Sequence, residues 1–231
     1  MTAPSDPFGQ VEAAVLALFD GPVAVGVTDP CAPQSALLAG ENSAVAGAVP
    51  ARQREFAAGR AAARVSLVGL GAAPEPIPVG PDRAPIWPHG VTGSISHNDR
   101  FCIAVLGHLH NWRGLGVDIE AETPLDADLI PTICSDTEQS RIAGPDQGTL
   151  AKLIFSAKEA TYKAQYPLTG MLFGYDHLDV TLDAATGTFS ATFLKSASAF
   201  KVGDSLPGRF ARVADHLVTG VAIGQGKGKG A

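Results

Sequence analysis

Five charged residues stand out because their types and spacing could do chemistry. They lie in two short segments of otherwise regular, apolar sequence, GVDIE (116–120) and FSAKEATYKA (155–164). The residues are Asp118, Glu120, Lys158, Glu159 and Lys163. Converging carboxylates bind a hard divalent cation, and lysines beside such a site suit a phosphorylated ligand. The two segments therefore suggest a metal-assisted reaction on a phosphate compound.

The first segment has the pattern of a strand. Side chains alternate along a strand, so Asp118 and Glu120 would share one face while Val117 and Ile119 point into the core. Neighbouring carboxylates repel each other, and a bound divalent cation relieves that repulsion. A solvated strand face explains an isolated Asp-x-Glu pair about equally well.

The second segment has the spacing of a helix. Lys152, Ser156, Glu159 and Lys163 follow one another at intervals of four, three and four and would line one face, with Lys158 beside it. The alternative is an exposed face on which Glu-to-Lys pairs each contribute about 0.3–0.5 kcal/mol.

Four further residues could bind phosphate. His97 ends a predicted strand, where it would donate to a phosphate oxygen or cap a turn. Arg52 and Arg60 are eight residues apart, about 12 Å on a helix, so they could reach two phosphates or form a solvated basic face. Arg83 lies in a Pro-rich connection and could reach a ligand or stack on Trp87.

Charge and length limit the classes of function. The chain has 231 residues, enough for one large domain or two small ones, and a net charge of −6 from 23 acidic and 17 basic residues. General nucleic-acid binding is therefore not expected. Four arginines could still form a local positive patch on the acidic protein. They are Arg52, Arg54, Arg60 and Arg64.

Cysteine usage and hydropathy point to a cytoplasmic protein. Cys31, Cys102 and Cys134 are odd in number and lack metal-type spacing, so we expect reduced, inert thiols. The first twenty residues have no basic segment typical of a signal peptide. No apolar run approaches the roughly 20 residues needed to span a membrane, so we expect no membrane span.

The pattern of elements predicts an α+β fold. An amphipathic segment at 11–19, a Pro- and Gly-rich connection at 72–93 and a looser acidic region after 121 separate the regular elements. Predicted helices cover 51–70 and 149–165. Predicted strands cover 23–28, 93–97, 101–107, 114–120, 178–182, 188–194, 209–214 and 216–223.

Each half of the chain thus has one long helix and several short strands. We predict a pseudo-twofold pair of similar α/β subdomains, residues 1–112 and 113–223, that meet near 110–120. The tail, residues 224–231, is expected to be disordered.

Taken in order, four blocks resemble the 4′-phosphopantetheinyl transferase superfamily, in the class of enterobactin synthetase component D and the surfactin-type enzymes. The blocks run from about residue 50 to residue 175, and the last two, with their spacing, are the most specific. They are RQREFAAGR (52–60) continuing to Arg64, IWP (86–88) continuing to GSISH (93–97), GVDIE (116–120), and FSAKEATYK (155–163).

The resemblance implies a fold and a reaction. Coenzyme A would lie between two subdomains, with the active site at their interface. The phosphopantetheine arm of coenzyme A would pass to a serine of an apo peptidyl or acyl carrier protein, releasing adenosine 3′,5′-bisphosphate. The enzyme would depend on Mg²⁺, with Mn²⁺ as a substitute, and would act as a cytoplasmic monomer.

Residue by residue, the resemblance assigns roles to the conspicuous polar positions. Asp118, Glu120 and Glu159 match the metal-binding acids. Glu159 and Lys163 match the catalytic positions, with Glu159, or a water held by the metal, taking the serine proton. The predicted coenzyme A-binding residues are Arg52, Arg60, Arg83, Ser96, His97, Lys158 and Lys163. Asn98 stands where many relatives have Cys, and we expect little effect because that position is not a mapped ligand.

Two other functions remain compatible with the same residues. One is a catalytically inactive relative that binds coenzyme A or a carrier protein, although all three acids and Lys163 are present. The other is a magnesium-dependent phosphoesterase, which would hydrolyse coenzyme A without a carrier. The pathway stays open between non-ribosomal peptide or siderophore synthesis and polyketide synthesis, as does tolerance of acyl-coenzyme A.

Overall fold

The computed structural model describes residues 6–225 of the chain. No helix in this part of the chain is both long and apolar enough to cross a membrane. The helices are α1 (Pro7–Leu16), α2 (Pro50–Gly69), α3 (Ile130–Ile133), α4 (Asp136–Arg141) and α5 (Gln147–Thr169). The strands are β1 (Ala24–Thr28), β2 (Val91–His97), β3 (Cys102–His108), β4 (Trp112–Ala121), β5 (Leu178–Asp183), β6 (Thr188–Phe193), β7 (Ser205–Val213) and β8 (His216–Gly224).

The strands form two antiparallel sheets, which confirms the predicted α+β class. The first sheet has the order β1-β3-β2, and the second has the order β4-β8-β7-β6-β5. α2 packs on the first sheet and α5 on the second. Each half has its own long helix packed on a sheet, but the first sheet has three strands and the second has five.

The two sheets meet where β2 lies against β4. The hydroxyl of Ser94 accepts a hydrogen bond from the backbone N–H of Val117 at 3.1 Å, and the hydroxyl of Ser96 donates to Asp118 at 2.7 Å. One apolar cluster continues through the junction, with members from α1, β1, β3, β4 and β8. Side-chain hydrogen bonds and a shared core therefore hold the two sheets together at the predicted site.

α5 crosses β4 in backbone contact because β4 has glycine at two positions facing the helix. A Cβ added at Gly116 would overlap the carbonyl oxygen of Ala160, and one at Gly114 would overlap that of Ala164. Four helical residues rise about 6 Å and two strand residues about 6.6 Å, so the helix and the strand stay in step. Asp118 and Glu120 continue the same strand face, because side chains two residues apart on a strand point the same way.

Several helix and strand boundaries in the structure differ from the predicted ones. α5 continues past residue 165 through Pro167 and ends where Gly170 takes a left-handed conformation, φ 61°, and donates its N–H to the Tyr166 carbonyl. A proline is expected to end a helix earlier, because it disfavours helical backbone at the preceding residue. The region of the amphipathic segment noted at 11–19 contains α1, which covers Pro7–Leu16. The division predicted at 112/113 falls at the start of β4.

Two regions are more ordered than the sequence suggested. The acidic region contains α3 and α4, and α4 begins with a capping box between Ser135 and Glu138. The expected disorder of the tail is wrong for its first residues, because Gly224 ends β8 and Gln225 donates its N–H to Asn111 O at 3.0 Å. Residues 226–231 lie outside the described residues.

Candidate active site

Asp118 is the centre of the candidate site. Its carboxylate is almost fully buried, with 3 % of the residue exposed. Oδ1 accepts hydrogen bonds from the Ser96 hydroxyl and from Lys163 Nζ, both at 2.7 Å. Oδ2 is buried and has no hydrogen-bond partner among the described residues. A buried carboxylate oxygen without a partner is costly, and this one is available to a cation.

Lys163 connects α5 to both sheets. Its ammonium donates to Asp118 on β4 and to the Ser96 hydroxyl on β2 at 3.1 Å, and approaches the Val117 carbonyl at 3.3 Å. The helical spacing therefore predicted correctly that Lys163 faces the strand acids. Ser156, predicted on the same face, is instead buried and hydrogen-bonded with Thr219 at 2.9 Å.

The other two acids are harder to ionise than free glutamates. Burial raises the pKa of Glu120 to about 7, and the charge of Asp118 adds to the effect. Burial also raises the pKa of Glu159, again with a contribution from Asp118, while Lys163 acts in the opposite direction. Lys152 Nζ lies 3.8 Å from Glu120. Excess negative charge in this partly dry space favours binding of a cation.

These acids share one cavity with most of the predicted phosphate-binding residues. The cavity has a volume of about 670 Å³. Its polar lining includes Arg52, Arg60, Arg83, Ser96, His97, Asp118, Glu120, Glu159 and Lys163. Nine of the ten predicted site residues are thereby brought together from α2, β2, β4, α5 and the connection before β2.

His97 and Arg52 contact each other inside this cavity. Arg52 Nη1 lies 3.0 Å from His97 Nε2 and 3.3 Å from Glu55 Oε2. An arginine can only donate, so His97 accepts through Nε2 in this arrangement. Burial lowers the pKa of His97, although the nearby Glu55 acts to raise it. The imidazole is therefore held neutral beside an arginine that an anionic ligand could attract away.

The arginines of α2 have different environments. Arg60 is buried, donates through Nε to the Ile77 carbonyl at 2.7 Å and lies over the Phe56 ring. Burial lowers its pKa to about 10, which still leaves it charged near neutrality. Arg64 is instead held in a two-bond pair with the buried carboxylate of Glu41 at 2.9 and 3.0 Å. Arg64 therefore does not contribute to an exposed basic patch, which corrects the sequence-based expectation.

The structure does not bring Lys158 to this cavity. Its ammonium is buried and donates to Ile133 O and Glu138 Oε2 at 2.8 Å and to Tyr175 O at 3.0 Å. All three N–H groups are thereby used, so the predicted phosphate contact is replaced by a structural one. The reason is that Glu138, which the sequence pattern did not single out, supplies a buried counter-charge.

A metal ion has suitable donors here, although they are not yet converged. Within residues 6–225, no group of three or more His, Cys, Asp or Glu side chains is close enough to hold an ion as it stands. The unpartnered oxygen of Asp118, together with two acids of raised pKa on the same cavity, fits a hard divalent cation.

Sequence reasoning missed four residues around the site. Glu55 holds Arg52, and its position three residues further along α2 was a usable signal. Tyr175 lines a small cavity together with Glu159, and the Tyr166 hydroxyl donates to Asp82 at 2.8 Å. Tyr166 continues the Lys163 face of α5, whereas nothing in the local pattern marked Tyr175 or Asp82.

A second cavity adjoins the first and is more apolar. It has a volume of about 600 Å³, and Arg83, Pro85, Ile95 and Lys163 line both. Its other walls come from the connection before β2 and from the end of α5. The two cavities together are large enough for an extended ligand with one charged and one less polar part.

Comparisons with known proteins agree with this geometry. Residues 40–107 match the family described as 4′-phosphopantetheinyl transferase N-terminal domain, and residues 114–218 match the 4′-phosphopantetheinyl transferase superfamily. The chain is 36 % identical over 200 residues to the 4′-phosphopantetheinyl transferase Svp of Streptomyces mobaraensis, covering 83 % of this chain and 80 % of that protein.

Two further relatives have the same character. The 4′-phosphopantetheinyl transferase Npt of Nocardia iowensis is 35 % identical over 162 residues, covering 67 % of this chain and 73 % of the relative. Enterobactin synthase component D of Salmonella typhi is 37 % identical over 144 residues, covering 58 % of this chain and 57 % of the relative. On these matches, and with the acids, lysine and arginines in one cavity, the chain belongs to the 4′-phosphopantetheinyl transferase superfamily.

Proposed function

We propose that this protein transfers the phosphopantetheine arm of coenzyme A to a serine hydroxyl of an apo carrier protein and releases adenosine 3′,5′-bisphosphate. The observation that carries the proposal is the buried Asp118, on a cavity that arginines also line. Its carboxylate is bonded to Lys163 and Ser96 through one oxygen, and the other oxygen has no partner within residues 6–225. Family membership supports this reaction over the inactive alternative.

The transfer needs a proton acceptor for the serine hydroxyl. The serine oxygen forms a bond to the phosphorus that carries the pantetheine arm, and the bond from that phosphorus to the departing adenosine bisphosphate breaks. Glu159 accepts the serine proton, either directly or through a water while its carboxylate holds the cation, and burial raises its pKa towards the value of an effective base. Burial and the charge of Glu159 raise the pKa of Tyr175, so its hydroxyl stays protonated beside this carboxylate.

Charge on the phosphates is met by the basic residues of the cavity. Arg52, Arg60 and Arg83 bind phosphate groups of coenzyme A, and His97 adds a neutral donor. Ser96 lines the same cavity, with its hydroxyl proton donated to Asp118. Arg52 exchanges its contact with His97 for one with the ligand. Lys163 lies between the acids and the phosphates, where an ammonium neutralises charge that develops on the departing group.

Asp118, Glu120 and Glu159 are the residues that would hold Mg²⁺, with Mn²⁺ as a substitute. The bound ion would neutralise charge on the pyrophosphate of coenzyme A. The free Asp118 oxygen and the raised pKa values of the two glutamates support this assignment.

The carrier is proposed to be a peptidyl carrier of non-ribosomal peptide or siderophore synthesis. The similarity to enterobactin synthase component D supports this choice. Polyketide carriers are the alternative, and a panel of apo carriers separates them. The two-subdomain division, the cytoplasmic location and the monomeric state stay predictions.

The experiment is intact-mass spectrometry of an apo peptidyl carrier incubated with this protein, coenzyme A and Mg²⁺. We expect the carrier to gain one phosphopantetheine, and EDTA or the Asp118→Asn variant to abolish the gain. No gain on peptidyl, acyl or polyketide carriers would overturn the proposal. Release of adenosine 3′,5′-bisphosphate without any carrier would instead identify a phosphoesterase.

A further inference from the structure

The connection before β2 contains a small hairpin that brings Arg83 to the cavities. Val79 and Pro85 form an isolated antiparallel bridge, and Gly80 N donates to Ala84 O at 2.8 Å. The three loop residues between this last pair are Pro81, Asp82 and Arg83. Three-residue hairpin loops combine a type I turn with a final residue in the left-handed region.

Arg83 occupies that final position against the usual preference. Its φ is +69°, and its N–H donates to Gly80 O at 3.0 Å, which closes the turn. Glycine or asparagine is favoured there, because a Cβ makes left-handed backbone unfavourable. Rules of local sequence are broken mainly where function requires it, and Arg83 is the loop residue that lines both cavities.

The loop is fixed to α5 at its tip. Asp82 Oδ1 accepts the N–H of Ala84 at 3.0 Å, and Oδ2 accepts the hydroxyl of Tyr166 at 2.8 Å. The Tyr166 bond is the largest cause of a lowered pKa at Asp82, so the carboxylate accepts it in the ionised form. Tyr166 lies three residues after Lys163 and therefore on the same helix face. The contact joins chain segments 84 residues apart.

We propose that the Tyr166–Asp82 hydrogen bond positions Arg83, holding it in its left-handed conformation so that its guanidinium binds a phosphate group of coenzyme A. Tyr166 and Asp82 are positioning residues and act on the ligand only through Arg83. This inference rests on the proposed function, since it takes coenzyme A as the ligand. It adds a contact between α5 and the hairpin to the determinants of affinity.

The test combines affinity for coenzyme A, by calorimetry, with thermal unfolding. Tyr166→Phe should weaken binding about 3- to 10-fold, the range for loss of one hydrogen bond, and leave the melting temperature nearly unchanged. Arg83→Gly should weaken binding about 10- to 100-fold and keep or raise the melting temperature, because glycine suits the left-handed position. A merely structural role for Arg83 would not separate affinity from stability in this way.

Double variants distinguish positioning from direct contact. Tyr166→Phe should have no further effect on affinity in an Asp82→Ala or an Arg83→Gly background. Asp183→Ala is the matched control, because Asp183 also caps its own turn, through Ala185 N at 3.0 Å, but on the β5–β6 turn. We expect this control to bind coenzyme A like the wild type.

Each contrary outcome overturns the inference. Additive losses would mean that Tyr166 contacts the ligand itself, and unchanged affinity in Tyr166→Phe would mean that the bond positions nothing. Amide hydrogen exchange at residues 80–84 needs no ligand and should accelerate in Tyr166→Phe; unchanged exchange would also contradict the inference. A wild-type protein that does not bind coenzyme A would refute the proposed function, whatever the exchange data show.

Discussion

Lys163 on α5 and Asp118 on β4 form an ion pair with 2.7 Å between Nζ and Oδ1. The pair uses one carboxylate oxygen and leaves Oδ2 buried, with no hydrogen-bond partner in the described part of the chain. The lysine therefore compensates only part of the cost of burying the acid. A cation that reaches Oδ2 would offset the rest of the cost of burying Asp118 and would therefore stabilise the site.

Lys163→Met should lower the free energy of unfolding in EDTA by about 1–3 kcal/mol, because it leaves the buried Asp118 charge with the Ser96 hydroxyl as its remaining side-chain donor. Urea unfolding followed by circular dichroism measures the change. Lys163→Arg, which keeps the charge, should lose less. Equal stability of Lys163→Met and wild type would show that the ion pair contributes little.

The raised pKa of Glu120 predicts that the free energy of unfolding depends on pH. Its pKa of about 7 lies above its usual value, so the folded state binds the proton more tightly than the unfolded state. Stability from this group is present at low pH and is lost as pH rises towards 7, by about 1–3 kcal/mol. In EDTA, Glu120→Gln should match the wild type near pH 4.5 and exceed it at pH 8.

Thermal unfolding of the wild type and of Glu120→Gln at several pH values measures this difference. The comparison separates the contribution of Glu120 from that of the other titrating groups. A constant difference across this range would contradict a raised pKa. Under the proposed metal assignment, Mg²⁺ at pH 8 should stabilise the wild type more than Glu120→Gln.

Breaking the buried ion pair between Lys158 and Glu138 should lower the stability of the protein and leave its affinity for the ligand unchanged. The lysine is 2 % exposed and the glutamate is fully buried, so Lys158→Met leaves an uncompensated buried charge and should cost about 3–5 kcal/mol. Adding Glu138→Gln should restore part of that loss. Lys195→Met, which breaks an exposed pair with Asp176, is the control and should cost under about 1 kcal/mol.

The affinity of correctly folded Lys158→Met for coenzyme A provides a second check. It should stay close to that of the wild type, because the ammonium makes its hydrogen bonds away from the large cavity. A stable variant with greatly weakened binding would restore the phosphate role first inferred for Lys158.

Gly116→Ala should be among the most damaging single substitutions. The added methyl group would overlap the Ala160 carbonyl and force α5 away from β4, at a cost of about 3 kcal/mol or more. Gly224→Ala is a matched control in β8, where no atom of residues 6–225 other than those of its chain neighbours lies within 4 Å of the added carbon. It should change stability by less than about 0.5 kcal/mol. Similar values for the two variants would contradict the backbone contact.

The cysteines should differ in reactivity. Burial raises the pKa of Cys102 to about 12 and that of Cys134 to about 11, whereas Cys31 is exposed. Because the thiolate is the reactive form, Ellman's reagent should titrate one thiol in the native protein and three after unfolding. Cys31→Ser should remove the native signal. Rapid labelling of Cys102 or Cys134 in that variant would refute their burial.

The parts of the site that follow a regular period could be predicted from the sequence. Strand alternation placed Asp118 and Glu120 together, and helical spacing placed Glu159 and Lys163 opposite them. These predictions succeed because one local geometry determines where each side chain points.

The missed features depend on partners that no local period specifies. Lys158 looked like a ligand contact until Glu138, in a region without clear periodicity, was found beside it. Arg64 was assigned to a basic patch because Glu41 lies 23 residues away in an irregular segment. A counter-charge distant in the sequence converts such a residue from a binding group into a structural one.

The glycine contact between α5 and β4 has a consequence for which substitutions this protein can tolerate around its cavity. Because main-chain atoms set the spacing, the gap between the strand acids and the helix is independent of the size of nearby core side chains. Cavity walls and docking surfaces can then change by substitution without altering the reach from Glu159 to Asp118. The backbone therefore fixes the distance between Glu159 and Asp118, and the residues around the cavity can be substituted to fit other carriers.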